Sequence, residues 1–398
     1  MISGAALVVE NLATAMAKRG HQVLVIAASD KRQSYLVGKG DLAVLRLKSL
    51  HNPLRVGQRF LTYPRRSVMN ALRKFAPEII HVHEPLQMSW LGVEYAKQTN
   101  TPVTLTVHQL PSLIASYLPD FFKGYAETIL WTYAHWLSKK FTSMTAPTRT
   151  ISALITQMTG LKSHTISSGV DLEIFRPALS CNEGFAVRQN CNLPSTAPIL
   201  LHVGRLDAEK RVDRVIRAAA ETLRVSKAHL LIVGDGCQKN NLIKLCNDLK
   251  IAGRVHFVGF VSAEAGLPGI YRVANLFVTA SEIETQGIVL LEAAASALPI
   301  VAVRATCIPE IVHDGINGYL EEPGDVRSMS NAMNLLLENP DKARQMGKAS
   351  RVMVEKHGMR YTLDVHARSY HDLVKQASVN RHTVQSGLFH RWWRRRGT

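Results

Sequence analysis

Strand-like and helix-like segments alternate along this chain, and the alternation starts twice. The strand-like segments are continuous apolar runs rich in β-branched residues, which is typical of buried parallel strands. In the first half they are HQVLVIAA (21–28), EIIHVH (78–83), PVTLTVH (102–108) and SMTAPT (143–148). After the polar stretch CNEGFAVRQNCNLPSTAP they are APILLHVGRL (197–206), HLLIVGDG (229–236), RVHFVGFV (254–261), NLFVTAS (275–281) and PIVAVRA (299–305). Alternation of this kind implies right-handed crossovers and doubly wound sheets, so the sequence predicts an α/β fold with two Rossmann-like domains facing a cleft.

The restart near residue 180 sets the predicted domain boundaries. We expect an N-terminal domain over residues 1–178 and a C-terminal domain over 179–360. A helix over 361–376 is expected to return to the N-terminal domain, and a basic tail is expected over 377–398. Ligands of open α/β sheets bind beyond the carboxyl ends of the strands, so the functional residues are expected there.

The N-terminal domain lacks its expected opening strand. A Rossmann half begins with a strand, a glycine-rich turn and a helix. This chain instead enters a helix directly after Met1-Ile2-Ser3-Gly4. We therefore expect the first strand of the N-terminal sheet to be missing, through a truncated gene product or a wrongly assigned start codon.

The basic charge of the chain indicates an anionic partner. The formal net charge is +17, and residues 42–77 contain eight basic and no acidic residues. A nucleotide, a nucleic acid or an acidic membrane surface suits such a charge. No RNA-binding motif or interleaved aromatic strand is found, so nucleic acid is not expected. A solvated face and a disordered tail remain the simpler explanation of the basic runs, the tail with Trp392 and Trp393 included.

The sequence shows no targeting or metal-binding pattern. The five cysteines are isolated from one another, and reduced thiols are expected, although Cys181 and Cys191 could pair. No apolar run is long enough to span a membrane, and no secretion signal is found. We expect a cytoplasmic protein without a metal. A peripheral place at the inner face of the membrane is expected as well.

The segment SEIETQGIVLLEAAASALPIVA (281–302) is the most informative part of the sequence. Glu284 follows a strand, Gly287 opens a helix, and Glu292 lies about two turns further on nearly the same face. A helix N-terminus offers N–H groups and a positive dipole end to a diphosphate. The two carboxylates can accept hydrogen bonds from sugar and ribose hydroxyls, although such a pair on an arbitrary helix is ordinary surface charge.

A second segment, VGRLDAEKRVDRVIRA (203–218), supplies the matching cations. Gly204 turns the chain out of a strand, and Arg205 and Lys210 flank a tight loop. An arginine fork and a lysine point charge suit two adjacent phosphates. The IVGDG segment adds Gly234 at a strand end, but it is not a GxGxxG fingerprint and is weak evidence alone.

Together these segments resemble glycosyltransferase family 4, a group of retaining enzymes with the GT-B fold. The resemblance runs from about Gly4 to about Val374 and is carried by HVHEP (81–85), ISSGVDLEIFRP (166–177), HVGRLDAEKRVD (202–213), LLIVGDG (230–236), ETQGIVLLE (284–292) and IPEIVHDGINGYL (308–320). Thr306 and Cys307 depart from the family pattern, which often has a glycine pair before IPE. This departure is expected to alter contacts near the donor sugar.

The resemblance implies the activity of a hexosyltransferase, an acceptor-binding N-terminal domain, a nucleotide-sugar-binding C-terminal domain and a set of site residues. Arg205 and Lys210 match residues that hold the donor diphosphate, Glu284 one that binds the donor sugar, and Glu292 one that binds the ribose. His108 matches an acceptor-side histidine. The implied catalytic residues are His108, Arg205, Lys210 and Glu284. The implied donor-binding residues are Gly4, Gly204, Arg205, Lys210, Gly234, Glu284, Gly287, Ile288 and Glu292.

No cofactor or metal is implied, because cations and a helix dipole neutralise the leaving diphosphate of a nucleotide-sugar co-substrate. The ETQG segment resembles the branch that includes glucosyl-diacylglycerol synthases, for which UDP-glucose is the default donor. The aromatic-rich segment 111–141, with Lys139 and Lys140, suits a membrane interface or an apolar acceptor groove, and a core helix is the alternative. A lipid acceptor such as diacylglycerol is therefore expected. A polysaccharide or soluble acceptor and an inactive, truncated homologue are the alternatives.

Overall fold

The computed structural model of the chain describes residues 4–51, 59–61, 64–115 and 118–394. These residues form two compact units. The N-terminal unit comprises Ile2–Pro147, Ser152–Ile166 and Leu363–Thr398, and the C-terminal unit comprises Thr148–Ile151 and Ser167–Thr362.

The first part of the chain contains nine strands and six helices within the described residues. The helices are α1 (Gly4–Lys18), α2 (Arg65–Phe75), α3 (Gln87–Thr99), α4 (Pro111–Ala115), α5 (Asp120–Ser138) and α6 (Arg149–Thr159). The strands are β1 (Val23–Ala28), β2 (Tyr35–Lys39), β3 (Leu42–Leu47), β4 (Ser49–His51), β5 (Arg59–Leu61), β6 (Ile80–Val82), β7 (Val103–Thr106), β8 (Ser143–Ala146) and β9 (Ser163–Thr165).

These strands form three separate sheets. The largest is the parallel sheet β6-β7-β8-β9, and β1 pairs in parallel with β3, which pairs antiparallel with β2. β4 and β5 form an antiparallel pair. No backbone ladder joins β1 to β6 in the described part of the chain. The missing first strand stays a prediction, because residues 1–3 lie outside the described residues.

The C-terminal unit is built on one six-stranded parallel sheet of order β12-β11-β10-β13-β14-β15. Its strands are β10 (Ile199–Val203), β11 (His229–Val233), β12 (Val255–Gly259), β13 (Leu276–Val278), β14 (Ile300–Val303) and β15 (Gly318–Glu321). Its helices are α7 (Phe185–Asn190), α8 (Val212–Val225), α9 (Lys239–Asp248), α10 (Leu267–Val273), α11 (Ile288–Ala295), α12 (Val326–Glu338) and α13 (Pro340–Val354). Every residue of β10, β13 and β14 is buried, as continuous apolar runs predict for strands covered on both faces.

The last helix, α14 (Met359–Arg394), is longer than the sequence indicated. It contains the predicted helical segment 361–376 and continues through residues 377–394, for which a tail was expected. Among the described residues, no helix has both the length and the hydropathy of a membrane-spanning segment. The cysteines whose side chains the structure describes are free: Cys191, Cys237, Cys246 and Cys307.

Candidate functional site

The predicted donor-binding residues of the C-terminal unit follow the carboxyl ends of its parallel strands. Gly204 comes directly after β10, Gly234 directly after β11, and Glu284 in the loop between β13 and α11. Because all three strands are parallel neighbours or next neighbours, these loops lie along one edge of the sheet. The structure therefore brings together residues that are up to 80 positions apart in the sequence.

Lys210 and Glu284 form the central ion pair of this edge. Lys210 Nζ lies 2.5 Å from Glu284 Oε1, and the two side chains are only 17% and 14% exposed. Lys210 ends the short 3-10 turn Ala208–Lys210 that precedes α8. A charge pair at this depth is screened less than a surface pair, so the two groups orient each other strongly.

Arg205 is held by two carboxylates from its own loop. Its guanidinium pairs with Asp207 through Nη1 and with Glu209 through Nη2. The two ion pairs fix the plane of the guanidinium. Asp207 and Glu209 were not selected from the sequence, although both lie inside the LDAEK segment that carried Arg205 and Lys210.

The loops after β10 and β11 are packed backbone against backbone. Gly234 has a φ of +139°, and a Cβ on it would lie 1.8 Å from the carbonyl oxygen of Gly204. The Gly204 N–H also donates to the carbonyl of Val233 at 3.0 Å. Glycine is therefore required at position 234, and the weak glycine signal in the sequence has a structural cause.

Gly287 and Ile288 form the start of α11 as predicted. Gly287 is the N-cap residue, with a φ of +74°, and Ile288 is the first helical residue. The left-handed conformation of Gly287 leads the chain into the helix, whose first N–H groups point toward the N-terminal end as in any α-helix. These amides are the group that the sequence predicted to meet the donor.

Glu292 is bonded to a tyrosine that the sequence did not reveal. The hydroxyl of Tyr271, on α10, donates a hydrogen bond of 2.7 Å to Glu292 Oε2. Burial raises the pKa of Glu292 to about 7, and the bond from Tyr271 acts in the opposite direction. No local pattern marks Tyr271, because it lies on a neighbouring helix 21 positions before Glu292.

His108 belongs to the N-terminal unit, two residues beyond the end of β7. Its Nε2 lies 2.9 Å from Nδ1 of His83, and the two rings stack with centroids 5.2 Å apart. Burial lowers the pKa of His108 to about 4 and holds the pKa of His83 well below its usual range. Both imidazoles are therefore neutral near pH 7, and one ring donates to the other.

A further pair of rings from α14 extends this histidine cluster. His81 Nδ1 lies 2.5 Å from the hydroxyl of Tyr370, and His81 Nε2 lies 2.6 Å from Thr106 Oγ1. The His366 ring lies 5.8 Å from that of His81. Gly4, also predicted for the donor site, is the first residue of α1 in the same unit and is exposed.

No group of side chains suited to a metal ion is found within the described residues. The donor site is instead a set of paired charges, glycine turns and helix N–H groups. Such an arrangement can bind an anionic ligand with hydroxyl groups by charge and by hydrogen bonds.

Two family models match this chain and together span most of it. The model described as Glycosyltransferase Family 4 matches residues 2–174, and the one described as Glycosyl transferases group 1 matches residues 185–353. The GDP-mannose-dependent alpha-mannosyltransferase of Mycobacterium tuberculosis is 30% identical over 77% of this chain and 77% of its own length. The chain belongs to glycosyltransferase family 4. It is a hexosyltransferase, as the resemblance implied.

Two further relatives of this glycosyltransferase also match over most of the chain. The alpha-monoglucosyldiacylglycerol synthase of Acholeplasma laidlawii is 27% identical over 80% of this chain and 81% of its own length. Sulfoquinovosyl transferase SQD2 of Arabidopsis thaliana is 26% identical over 74% of this chain. The match spans only 56% of the length of that relative.

Solved structures support the fold class. Sucrose-phosphate synthase from Thermosynechococcus elongatus matches with a TM-score of 0.78 at 22% identity, covering 94% of each chain. HepE of Anabaena, solved with UDP-glucose, matches with a TM-score of 0.75 at 19% identity, covering 94% of this chain and 97% of its own. The predicted GT-B class, with two Rossmann-like α/β units, is confirmed.

Proposed function

We propose that this glycosyltransferase moves glucose from UDP-glucose to a membrane lipid such as diacylglycerol, with retention of the anomeric configuration. The lipid acceptor is carried by one observation, an exposed aromatic stripe on α5 of the N-terminal unit. The name of the alpha-monoglucosyldiacylglycerol synthase supports the same acceptor class, and the UDP-glucose complex of HepE supports the donor.

The aromatic stripe runs along one side of α5. Phe121, Tyr125 and Ile129 are spaced by four residues, so they lie on the same face of the helix. Their exposed fractions are 78%, 72% and 49%. A core would bury these side chains, so this face of α5 is not part of one.

Basic residues accompany the stripe. Lys139 and Lys140 follow the last residue of α5, and Lys140 Nζ lies 3.9 Å from the centre of the Trp136 ring. An apolar, aromatic face with lysines at its end suits the headgroup region of a bilayer. Each basic residue near an anionic surface contributes on the order of 1 kcal/mol, so we assign the partner as an anionic membrane.

In the proposed reaction the C-terminal unit binds the donor. Lys210 and Arg205 stabilise the negative charge that develops on the leaving diphosphate, together with the N–H groups at the start of α11. Glu284 binds hydroxyls of the sugar, and Glu292 binds the ribose. The charge on the diphosphate is thus compensated by the protein itself, so the proposal includes no metal ion.

A transfer assay tests the proposal. Vesicles of phosphatidylglycerol containing diacylglycerol are incubated with each of several radiolabelled UDP- and GDP-sugars, and the lipid extract is counted. We expect label in the lipid from UDP-glucose, with α-linked product by NMR. Glu284→Ala should lose the transfer by at least about a hundredfold, as for loss of a group that stabilises the transition state.

The same assay with oligosaccharides in place of diacylglycerol separates a soluble acceptor from a lipid. Transfer to oligosaccharide alone contradicts the lipid acceptor, and no turnover of any donor contradicts the activity. Sedimentation with the vesicles at low salt tests the membrane surface. Phe121→Ser with Tyr125→Ser should weaken binding, whereas Val352→Ser, an exposed apolar residue on α13, should not.

A further inference from the structure

The loop between Glu284 and Gly287 is held in place by hydrogen bonds at successive residues. Thr148 Oγ1 donates to the carbonyl of Thr285 at 2.9 Å. The Gln286 side chain is buried, accepts from the N–H of Ser168 at 2.8 Å and donates to Ser167 Oγ at 2.7 Å. The loop therefore enters α11 in one defined conformation.

Glu284 itself is held by the pair of residues that departs from the family pattern. Its backbone N–H donates to Thr306 Oγ1 at 3.1 Å, and its carbonyl accepts from Cys307 Sγ at 3.2 Å. Burial raises the pKa of the Cys307 thiol to about 12, so the sulfur stays protonated and able to donate. Both backbone groups of Glu284 are thus bonded to side chains that a glycine pair cannot offer.

Thr306 adopts a conformation that favours glycine. Its φ is +41°, in the left-handed region that β-branched residues rarely enter. A glycine would adopt that conformation without strain. A strained backbone conformation persists at a single residue where the surrounding structure requires it. Here the strained residue is Thr306, whose hydroxyl accepts from the Glu284 N–H.

We propose that Thr306 and Cys307 form a clamp that positions Glu284 for the sugar of the donor. In this clamp the Thr306 hydroxyl accepts from the Glu284 N–H, and the Cys307 thiol donates to the Glu284 carbonyl. It fixes the backbone from which the Glu284 carboxylate reaches Lys210 at 2.5 Å. A carboxylate fixed before binding loses less freedom when the sugar arrives, which strengthens its hydrogen bonds to the hydroxyls. The role of the clamp in catalysis rests on the proposed role of Glu284.

Three substitutions at Thr306 separate the hydroxyl from the strain. Thr306→Val keeps the branched shape and removes the hydroxyl, Thr306→Gly removes both the hydroxyl and the strain, and Thr306→Ser keeps the hydroxyl. Thr306 is exposed, so all three variants are expected to fold. Lys250→Gly is the matched control, because Lys250 is exposed, has a φ of +59° and follows α9 away from the donor loops.

The first measurement is hydrogen–deuterium exchange of peptides that contain the Glu284 amide. We expect faster exchange in Thr306→Val and Thr306→Gly, and exchange like that of the unmodified chain in Thr306→Ser and Lys250→Gly. Cys307→Ala should also raise the exchange of this segment. Unchanged exchange in Thr306→Val and Thr306→Gly overturns the clamp, and this measurement needs no knowledge of the donor.

The second measurement is the affinity for UDP-glucose and for UDP. Loss of one hydrogen bond predicts a loss of UDP-glucose affinity of about three- to tenfold in the valine and glycine variants. UDP affinity should not change, and serine should restore the UDP-glucose affinity. A melting temperature of Thr306→Gly at or above that of the unmodified chain, combined with weaker UDP-glucose binding, distinguishes positioning from a structural role. If the valine, glycine and serine variants all bind UDP-glucose with the same affinity as one another, the clamp has no role in the donor site. If the unmodified chain binds no UDP-glucose, the proposed donor is wrong and the exchange data still decide the clamp.

Discussion

The hydroxyl of Tyr271 donates a hydrogen bond of 2.7 Å to Glu292 Oε2, and it joins two helices of the C-terminal unit. Tyr271 is fully buried. Burial raises the pKa of Glu292 to about 7, against the influence of the Tyr271 bond. The carboxylate that we assign to the ribose therefore changes charge near neutral pH, which makes its protonation state measurable.

Tyr271→Phe is expected to shift the pH dependence of nucleotide binding. The substitution keeps the ring and removes the bond that favours the charged carboxylate, so the pKa of Glu292 should rise by about one unit. UDP affinity should then fall at pH 7 and recover near pH 9, measured as a dissociation constant across the pH range. Tyr319→Phe, on β15, is the control and should leave the curve in place. A pH curve of Tyr271→Phe that overlays that of the unmodified chain would falsify this assignment.

Glu292→Gln is expected to stabilise the protein above neutral pH while weakening UDP binding. The pKa of Glu292 is 4.5 in its ordinary state and about 7 when folded. The folded chain therefore holds more protons than the unfolded chain in this window, and stability falls as pH rises through it. The neutral amide avoids that loss, which is on the order of 3 kcal/mol because each unit of the pKa rise corresponds to about 1.4 kcal/mol.

Urea unfolding at pH 8 and at pH 4.5 measures the effect of Glu292→Gln. The gain in the free energy of unfolding should appear at pH 8 and vanish at pH 4.5. Glu338→Gln, an exposed glutamate at the end of α12, should show no gain at either pH. An equal gain at both values would mean that the charge of Glu292 is not its cause.

His83 is expected to act on the transfer reaction through His108. The two rings are bonded at 2.9 Å, so removing His83 takes away one of the contacts that orient the His108 ring. His108→Ala should lower kcat by roughly tenfold or more and His83→Ala by less, in line with the contribution of positioned acid–base groups. The double variant should match His108→Ala alone. Additive losses of kcat in the double variant would indicate independent roles of the two histidines. His164 is an exposed histidine on β9, and His164→Ala is the control that should leave kcat unchanged.

Gly234→Ala is expected to disrupt the donor loops. An added Cβ would lie 1.8 Å from the carbonyl oxygen of Gly204, and the φ of +139° is strained for any other residue. Overpacking and strain together should lower the free energy of unfolding by about 3 kcal/mol or more and abolish UDP binding. Gly253→Ala meets nothing within 4 Å and should leave both unchanged. Thermal unfolding and UDP titration of the two variants make the comparison, and similar behaviour of the two would contradict the close packing of the loops.

The sequence predicted the sheet of the C-terminal unit because its central strands β10, β13 and β14 are apolar at every position except His202. It did not predict the strands between residues 35 and 61. β2, for example, is exposed at four of its five positions, so it lacks the apolar run of a buried strand. These short segments are stabilised by antiparallel pairing with their neighbours, such as β2 with β3, rather than by burial on both faces.

The residues proposed for the donor lie in short segments with glycine, arginine, lysine and glutamate at fixed spacing, which is why the sequence alone could single them out. The hydrogen-bond partners of the site residues were harder to predict from the sequence. The hydroxyl of Tyr370 reaches His81 across 289 positions of sequence, and no periodicity signals a contact of that range. Thr306 was visible only as a departure from a glycine pair, and its bond to Glu284 required the tertiary structure.

With Glu292 in its proposed role, its raised pKa also predicts that nucleotide binding is a proton-exchange reaction. In the proposed role of Glu292, the ribose hydroxyl bonds to its charged carboxylate. The fraction of Glu292 side chains that is still neutral near pH 7 therefore releases its protons to the buffer when the nucleotide binds. The calorimetric heat of UDP binding then differs between buffers of different ionisation enthalpy. The slope of the binding heat against the ionisation enthalpy gives the number of protons released per nucleotide bound. Occupancy of the enzyme by its donor thereby follows small changes of pH around neutrality.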